Sequence, residues 1–358
     1  MWLIVNAGSS SLKLKVFDGE REVAKAFVAE IGPDGHRAAM RDGLAQAGVP
    51  LHHLTAAAHR VVHGGASLTA TCRVTPEVLH QIEACVPLAP LHNPGNLVGI
   101  QSVAALAPGL PQYASFDTAF HATNPEVATT YALPLAERAL GLRRYGFHGI
   151  SFAALVRILR QRGPLPERLL ACHLGNGCSL AAIVNGRSVA TTMGYSPLDG
   201  LTMGTRTGTI DGNAVLRLAA LHGVEAAGRI LNRQSGLLGL GGASDMRALH
   251  AAGTPEARFA LDHFAYWAVR HAGSMVAAMG GVDAVVFTGG IGENDPWMRK
   301  KILSGLGYMG VSPDLSANAR NETALHSPTS RVAILVVPAD EERQIALEAQ
   351  GLMAGEGV

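Results

Sequence analysis

One pattern occurs twice in this chain, and it limits the available folds more than any other feature. Met1–Val5 is a short apolar run, Asn6-Ala7-Gly8-Ser9-Ser10-Ser11 offers the small residues of a tight turn, Leu12–Phe17 alternates in part, and Val23–Val28 reads as a third strand. Near mid-chain the order returns: apolar Leu169–His173, then Leu174-Gly175-Asn176-Gly177-Cys178-Ser179, then Leu180–Val184 and Arg187–Thr192. Setting Ser11-Leu12 on Ser179-Leu180 matches strand with strand and glycine/serine loop with glycine/serine loop, at an offset of 168 (179 less 11) in a chain of 358 residues. Such a duplication predicts two related domains facing each other, each opening on a glycine/serine hairpin. Length agrees, since domains commonly hold about 100–200 residues.

The remaining segments fit α/β layering. Helical periodicity marks His36–Ala47, Asn96–Leu106, Phe152–Arg160, Asn213–Leu221 and Ala257–Met279, and short buried strands are expected at Ala57–Val62, Tyr113–Phe116, Ala284–Phe287 and Val332–Val337. A last helix over about Glu341–Ala354 follows Pro338. No low-complexity linker separates the halves, so the boundary falls at the Ser115-Phe116-Asp117 strand end and the final helix returns to the first domain. Residues 1–117 plus about 343–358 form the first expected lobe, and about 118–342 the second.

Charge and cysteine usage exclude several function classes. Lys+Arg 29 against Asp+Glu 28 leaves a net charge of +1, so no bulk field draws the chain to nucleic acid or an anionic membrane. Any bound anion has to be held by local geometry. Cys72, Cys85, Cys172 and Cys178 form no CxxC pair, which argues against a zinc site and a disulfide framework. The N-terminus is apolar at once and turns polar by Asn6, unlike a signal peptide, and the most apolar long window, Phe264–Val282, is broken by Arg270 and His271. A soluble, cytoplasmic protein is the expectation.

Several chemistries are missing from the sequence. None of the five lysines (Lys13, Lys15, Lys25, Lys300, Lys301) follows a glycine, so there is no Walker A loop, and neither HExxH nor GxSxG occurs. Three strand-ending glycine loops remain: Asn6–Ser11, His173–Ser179 and Phe287-Thr288-Gly289-Gly290-Ile291-Gly292-Glu293-Asn294. Backbone N–H groups in such turns cradle anions, and glycine lets a phosphate approach without a Cβ clash. Lys13, two residues beyond the serines, adds a cation. Taken singly, other residues read more plainly: Arg60 between apolar neighbours as an inward ion-pair partner, Asp117 as a cap or turn residue, His59 and His63 as packing groups, Cys178 as a small buried residue.

Seven blocks taken together go further. Asn6-Ala7-Gly8-Ser9-Ser10-Ser11-Leu12-Lys13, His59-Arg60-Val61-Val62-His63-Gly64-Gly65, Phe116-Asp117-Thr118-Ala119-Phe120-His121, Tyr145-Gly146-Phe147-His148-Gly149, His173-Leu174-Gly175-Asn176-Gly177, Met203-Gly204-Thr205-Arg206 and Gly290-Ile291-Gly292-Glu293-Asn294 resemble the acetate kinase family, in its order, from residue 6 to the Glu341-Glu342 pair. The resemblance implies two duplicated RNase H-like (actin-like ATPase) lobes around a nucleotide cleft. It further implies a cytoplasmic homodimer that phosphorylates acetate reversibly to acetyl phosphate, an acetyl-CoA precursor, using ATP with Mg2+ or, in substitution, Mn2+.

Residue roles carried by the resemblance fit the chemistry such a transfer needs. Arg60 and Arg206 fall on the family's substrate and transition-state arginines, and a guanidinium fork meets a carboxylate bidentately without losing its proton. His148 falls on the transition-state histidine, where donors ring a spreading charge. Asp117 falls on the catalytic aspartate; acetate is ionised at neutral pH, which disfavours a pure base role and leaves holding a metal-bound water or positioning the acceptor. Asn6 and Glu341 fall on metal-associated positions, and magnesium favours a few hard oxygen ligands plus waters. Val62, Leu91, Phe147 and Pro197 fall on the methyl pocket. Lys13, Ser9, Ser11, His173, Leu174, Gly175, Asn176 and Gly177 fall on phosphate-binding positions, and Asp245, Met246, Arg247 with Gly290, Ile291, Gly292, Glu293 and Asn294 on nucleoside-binding ones.

The chain departs from the family pattern at Asp340, where Asn is usual before the glutamate pair, at Asp211-Gly212 in place of Asp-Pro, and at Gly95 in place of a common Pro. Two alternatives stand beside acetate: a kinase for propionate or butyrate, and a non-catalytic actin- or Hsp70-like ATP-binding module. The pairing of Arg60 and Arg206 with His148 separates the last, which has no use for a carboxylate clamp.

Overall fold

The computed structural model describes residues 1–8, 11–32 and 35–356, the side chain of Glu356 excepted. Ser9, expected among the phosphate-binding residues, lies outside them. The chain divides into two units: Met1–Ala122 with Phe147–Ala154 and Asp340–Val358, and Thr123–Gly146 with Leu155–Ala339.

In the first unit β1 (Trp2–Ala7), β2 (Leu12–Asp18) and β3 (Arg21–Val28) form an antiparallel meander, and β4 (Ala56–Val61) and β6 (Gln112–Phe116) extend it in parallel from β1, with the short β5 (Cys72–Arg73) at the edge. Alternation along β1 feeds two cores. Leu3 and Val5 pack with Ala39, Met40 and Leu44 of the His36–Ala47 helix. Trp2 and Ile4 pack with Ile150 and with Ile345, Ala346 and Ala349 of the Glu341–Glu356 helix. Burial on both faces explains why β1 reads as a continuous apolar run. Each such side chain contributes roughly 1.5–3 kcal/mol.

The second unit repeats the plan. β7 (Arg168–Leu174), β8 (Cys178–Val184) and β9 (Arg187–Thr191) form the meander, and β10 (Ala284–Thr288) and β11 (Ala333–Val336) add in parallel beyond β7. The orders β3-β2-β1-β4-β6 and β9-β8-β7-β10-β11 correspond strand for strand, and the second strand of each meander carries a register shift, at Val16/Phe17 and at Ala182/Ile183. The long Pro255–Ala278 helix starts on a Thr254 cap that accepts from Ala257 N–H, with proline at its first position, and buries Ala260, Leu261, Phe264 and Ala268. No helix among the described residues is long and apolar enough to cross a membrane.

The expected boundary shifts in three places. Residues 118–122, 147–154 and 340–342 belong to the first unit, not the second. The Gly149 N–H donates to the Asp117 carbonyl and Ile150 enters the first core, so Phe147 and His148 stay with Asp117. Helix starts also move: Asn93, Gly149 and Gly212 replace Asn96, Phe152 and Asn213.

Candidate active site

Within the first unit, the carboxyl ends of three parallel strands lie side by side, because Val5 is paired with His59 and Val61 with Phe116. Asn6, Arg60 and Asp117 therefore occupy one sheet edge, the usual place for ligands in such sheets. Arg60 Nε lies 3.1 and 3.2 Å from the two Asp117 oxygens, its Nη2 donates to Oδ2 at 2.7 Å, and its Nη1 is 3.5 Å from Glu341. The inward ion-pair reading of Arg60 thus holds geometrically, with its partners now named. Burial works against the charge on Arg60, but Asp117 and Glu341 more than offset it and hold its pKa up. Burial pushes the Asp117 carboxyl upward, opposed by the Arg60 guanidinium and reinforced by Glu341.

His148 sits at φ +58. A non-glycine residue in the left-handed region is strained, and the surroundings fix it. Its carbonyl accepts from Phe152, and the adjacent Gly149 N–H meets the Asp117 carbonyl at 2.8 Å. A Cβ on Gly149 would come within 2.4 Å of that oxygen, so only glycine lets the two segments approach so closely. Phe147 is buried and meets His63 edge-on, Val62 donates its N–H to Asn96 Oδ1, and Leu91 is 37 % exposed. Asn96 also donates to the Ala7 carbonyl, tying the first glycine/serine loop to the strand end beyond Arg60. Sequence reasoning missed Asn96, whose only local signal is a polar residue inside a helix.

Lys13, expected at the phosphates, pairs its ammonium with Glu342, the residue after Glu341, which Lys15 also approaches at 3.5 Å. Burial would raise the Glu342 pKa, but the two lysines keep it below the ordinary carboxylate range. Asp340, the departure before the glutamate pair, lies 3.0 Å from Arg343 Nε, so its charge is locally balanced.

In the second unit a cavity of about 820 Å3 is lined by Gly175 and Asn176, by Ser244, Asp245, Met246, Arg247 and His250, and by Gly290, Ile291, Asn294, Asp295, Pro296 and Trp297. Two loops expected to bind one nucleotide thus share one wall. Other expected contacts lie outside that lining. Leu174 is a core side chain, Gly292 is buried, and Glu293 turns back so that Oε1 accepts from the Gly289 and Ala339 N–H groups. His173, nine per cent exposed, and Gly177 belong to the ends of the β7–β8 hairpin, where Gly175 N–H donates to the Gly177 carbonyl. Cys178 is fully buried as expected, with its thiol pushed up to about 12 by burial. Sequence reasoning missed His250, Asp295 and Trp297: His250 Nε2 is 2.9 Å from Asp295 Oδ2 and its ring meets Trp297 edge-on at 5.1 Å.

The glycines of Gly204-Thr205-Arg206-Thr207-Gly208 read as a flexible loop with little apolar cover, and the structure corrects this. Leu201, Thr202 and Met203 are buried beside it, and hydrogen bonds from Leu237 to Met203, Leu238 to Gly204 and Ser235 to Thr205 pin the loop backbone. Arg206 Nη1 donates to the Pro197 carbonyl at 3.2 Å, and burial lowers the guanidinium pKa. Asp211 caps the Gly212–His222 helix by accepting from Asn213 and Ala214, so glycine after it costs the helix no start.

Oxygen donors dominate the first-unit edge. Asn6, Asp117 and Glu341 offer an amide and two carboxylates, a donor set that suits a hard cation keeping most of its waters. Among the described residues no group of three or more His, Cys, Asp or Glu is arranged to hold a metal unaided.

Residues 38–347 match the model of the acetokinase family. The chain is 45 % identical over 325 residues to an acetate kinase of Methylocella silvestris, covering 89 % of this chain and 80 % of that one. Among solved structures, the acetate kinase of Porphyromonas gingivalis superposes with a TM-score of 0.89 at 34 % identity, covering 98 % of this chain and 99 % of that one. A propionate kinase from Francisella tularensis gives 0.89 at 34 %, with 97 % and 98 % covered.

Proposed function

This chain belongs to the acetokinase family, and from that premise we propose that it transfers the γ-phosphoryl group of ATP to acetate. An acetate oxygen attacks the γ-phosphorus while the bond to the bridging oxygen of ADP breaks, giving acetyl phosphate; both changes reverse in the other direction. No proton has to be removed, because acetate is ionised at neutral pH. The observation that carries this reading is the Arg60–Asp117–Glu341 cluster at the strand ends. A bare ATP-binding module has no use for a guanidinium held in a fork there. Asp117 fixes the plane of Arg60, and the Nη1 edge, with only a 3.5 Å approach to Glu341, is where the acceptor carboxylate binds. Val62, Leu91 and Phe147 of this unit take the methyl group. His148 donates to an equatorial oxygen as charge develops on it, and Arg206 has the corresponding role among the residues of the second unit.

ATP takes the second-unit cavity, its phosphates toward Gly175 and Asn176 and its nucleoside toward Asp245–Arg247 and Gly290–Asn294. Asn6 and Glu341 would hold magnesium. Bound with the nucleotide, the ion supplies charge neutralisation at the phosphates, and manganese serves the same donors. A cytoplasmic location is supported by four free cysteines, Cys72, Cys85, Cys172 and Cys178.

Propionate is the second reading, favoured by the likeness to the Francisella propionate kinase. One methylene shifts discrimination by only about 1–3 kcal/mol. Trapping the acyl phosphate with hydroxylamine, in the presence of ATP and Mg2+, should give the highest kcat/KM for acetate, less for propionate and least for butyrate. Absence of acyl phosphate with all three would refute the kinase assignment.

A further inference from the structure

Arg299 is fully buried, yet each of its five hydrogen bonds goes to a neutral oxygen. Nε donates to Asn318 Oδ1 at 2.9 Å, Nη1 to the Gly292 and Glu293 carbonyls at 2.9 Å each, and Nη2 to the Asn318 carbonyl at 3.0 Å and Asn321 Oδ1 at 2.6 Å. Burying a guanidinium is costly, and a fold that needed only volume here would be served by an apolar side chain. What Arg299 does that an apolar group cannot is satisfy two carbonyls left without helical partners at the end of the Gly289–Asn294 helix. It fastens them to the turn at Asn318–Asn321, and Asn318 Nδ2 in turn donates to the Pro296 carbonyl at 2.8 Å. The corner thus held, from Gly290 to Trp297, is one wall of the 820 Å3 cavity, while Arg299 itself lies outside the lining.

We propose that Arg299 is a positioning residue for the nucleotide: by holding the Gly292 and Glu293 carbonyls it sets the wall formed by Gly290, Ile291 and Asn294 against an adenine nucleoside di- or triphosphate. The proposal rests on the kinase reading above. Lysine keeps the charge at this position but has one nitrogen with three donors, too few for the oxygens gathered here.

The test compares wild type with Arg299→Met, Arg299→Lys and Asn321→Gly. Asn321 has φ +54, so glycine removes one Arg299 acceptor without straining the backbone. Calorimetry with ADP gives Kd, and steady-state kinetics give the two KM values, all per folded molecule. Arg299→Met should raise the ADP Kd and the ATP KM about tenfold, which is about 1.4 kcal/mol. Arg299→Lys should fall between Arg299→Met and wild type, Asn321→Gly should rise about threefold, and the acetate KM should stay within about twofold of wild type throughout. A merely structural residue would lower the melting temperature and the active fraction while leaving both KM values and the ADP Kd in place, and that result would overturn the proposal. If Arg299→Met does not fold, an unchanged ADP Kd in Asn321→Gly overturns it equally. A wild-type protein that binds ADP but phosphorylates no acid would sink the kinase reading alone, and the variants' Kd values would still decide on Arg299.

Discussion

Arg60 and Arg206 carry the same guanidinium in opposite surroundings, and the contrast sets what each truncation does. Removing Arg60 leaves Asp117, 2 % exposed, and Glu341 without their cation. Breaking one side of a buried pair costs about 3–5 kcal/mol, so Arg60→Ala should lose stability as well as acetate binding and turnover. Arg206 donates to the neutral Pro197 carbonyl on a loop pinned by its own backbone. Arg206→Ala should therefore melt closer to wild type and lower kcat by about 10²–10³, with a smaller change in the acetate KM. Arg206→Lys should recover part of the rate. Kinetics beside thermal melts check both, and a large drop in melting temperature with kcat intact would make Arg206 structural. Glu341→Ala should raise the magnesium needed for half-activity; an unchanged requirement at full turnover removes Glu341 from the metal. The residue types at Arg60, Asp117 and Arg206 were legible in the sequence through their motif blocks, but not their partners. Nothing local says that Arg60 and Asp117, 57 positions apart, share hydrogen bonds. The Lys13 partner was hidden for the same reason, since Glu342 reaches it from the far end of the chain.

At the scale of elements, two buried histidines make the first unit sensitive to acid. His59 on β4 is 1 % exposed and donates from Nε2 to Gln112 Oε1 at 2.7 Å; His121, 2 % exposed in the turn after β6, donates from Nε2 to the Phe147 carbonyl at 3.0 Å. Burial lowers both pKa values to about 4, against an ordinary 6.5. The unfolded chain binds these protons first, so stability is complete above pH 6.5 and is lost as pH falls toward 4, by up to about 3 kcal/mol for each group. Urea unfolding followed across that interval should show the midpoint fall, and His59→Gln should flatten the slope relative to wild type. An identical slope in the variant would show that His59 is not the titrating group. Strands were legible as elements because a short apolar run between turn residues has few other uses. Helix starts were not, since Asn93 begins its helix where its side chain grips His63 N–H and carbonyl from another segment. The Arg206 loop looked loose because glycines flank it, whereas its rigidity comes from residues 235–238, far along the chain.

For the whole molecule, the repeated meander was the most legible feature, because two copies of one strand order constrain each other: β3-β2-β1-β4-β6 returns as β9-β8-β7-β10-β11. The chain's crossings between units were harder to place, since the segment 147–154 rejoins the first unit through Gly149 and Ile150 rather than through any break in composition. The second unit also exposes large apolar side chains on three helices: Leu216 and Leu221 on Gly212–His222, Val224 on Val224–Arg233, and Phe259 and Tyr266 on Pro255–Ala278. Scattered exposed leucines are ordinary, but five large residues, with Val224 at 82 % and Leu216 at 67 % exposure, are apolar anchors of the kind a homodimer would use, and pairing through them is the prediction. A stable pair buries about 800 Å2 per partner, and charges introduced at its centre are not accommodated. Light scattering at micromolar protein should therefore report twice the 37.3 kDa of one chain. The double substitution Leu216→Glu with Val224→Glu should return a single-chain mass while leaving the circular dichroism spectrum unchanged. A wild-type species of 37.3 kDa rejects the dimer, and a doubly charged variant that still pairs moves the interface off these helices.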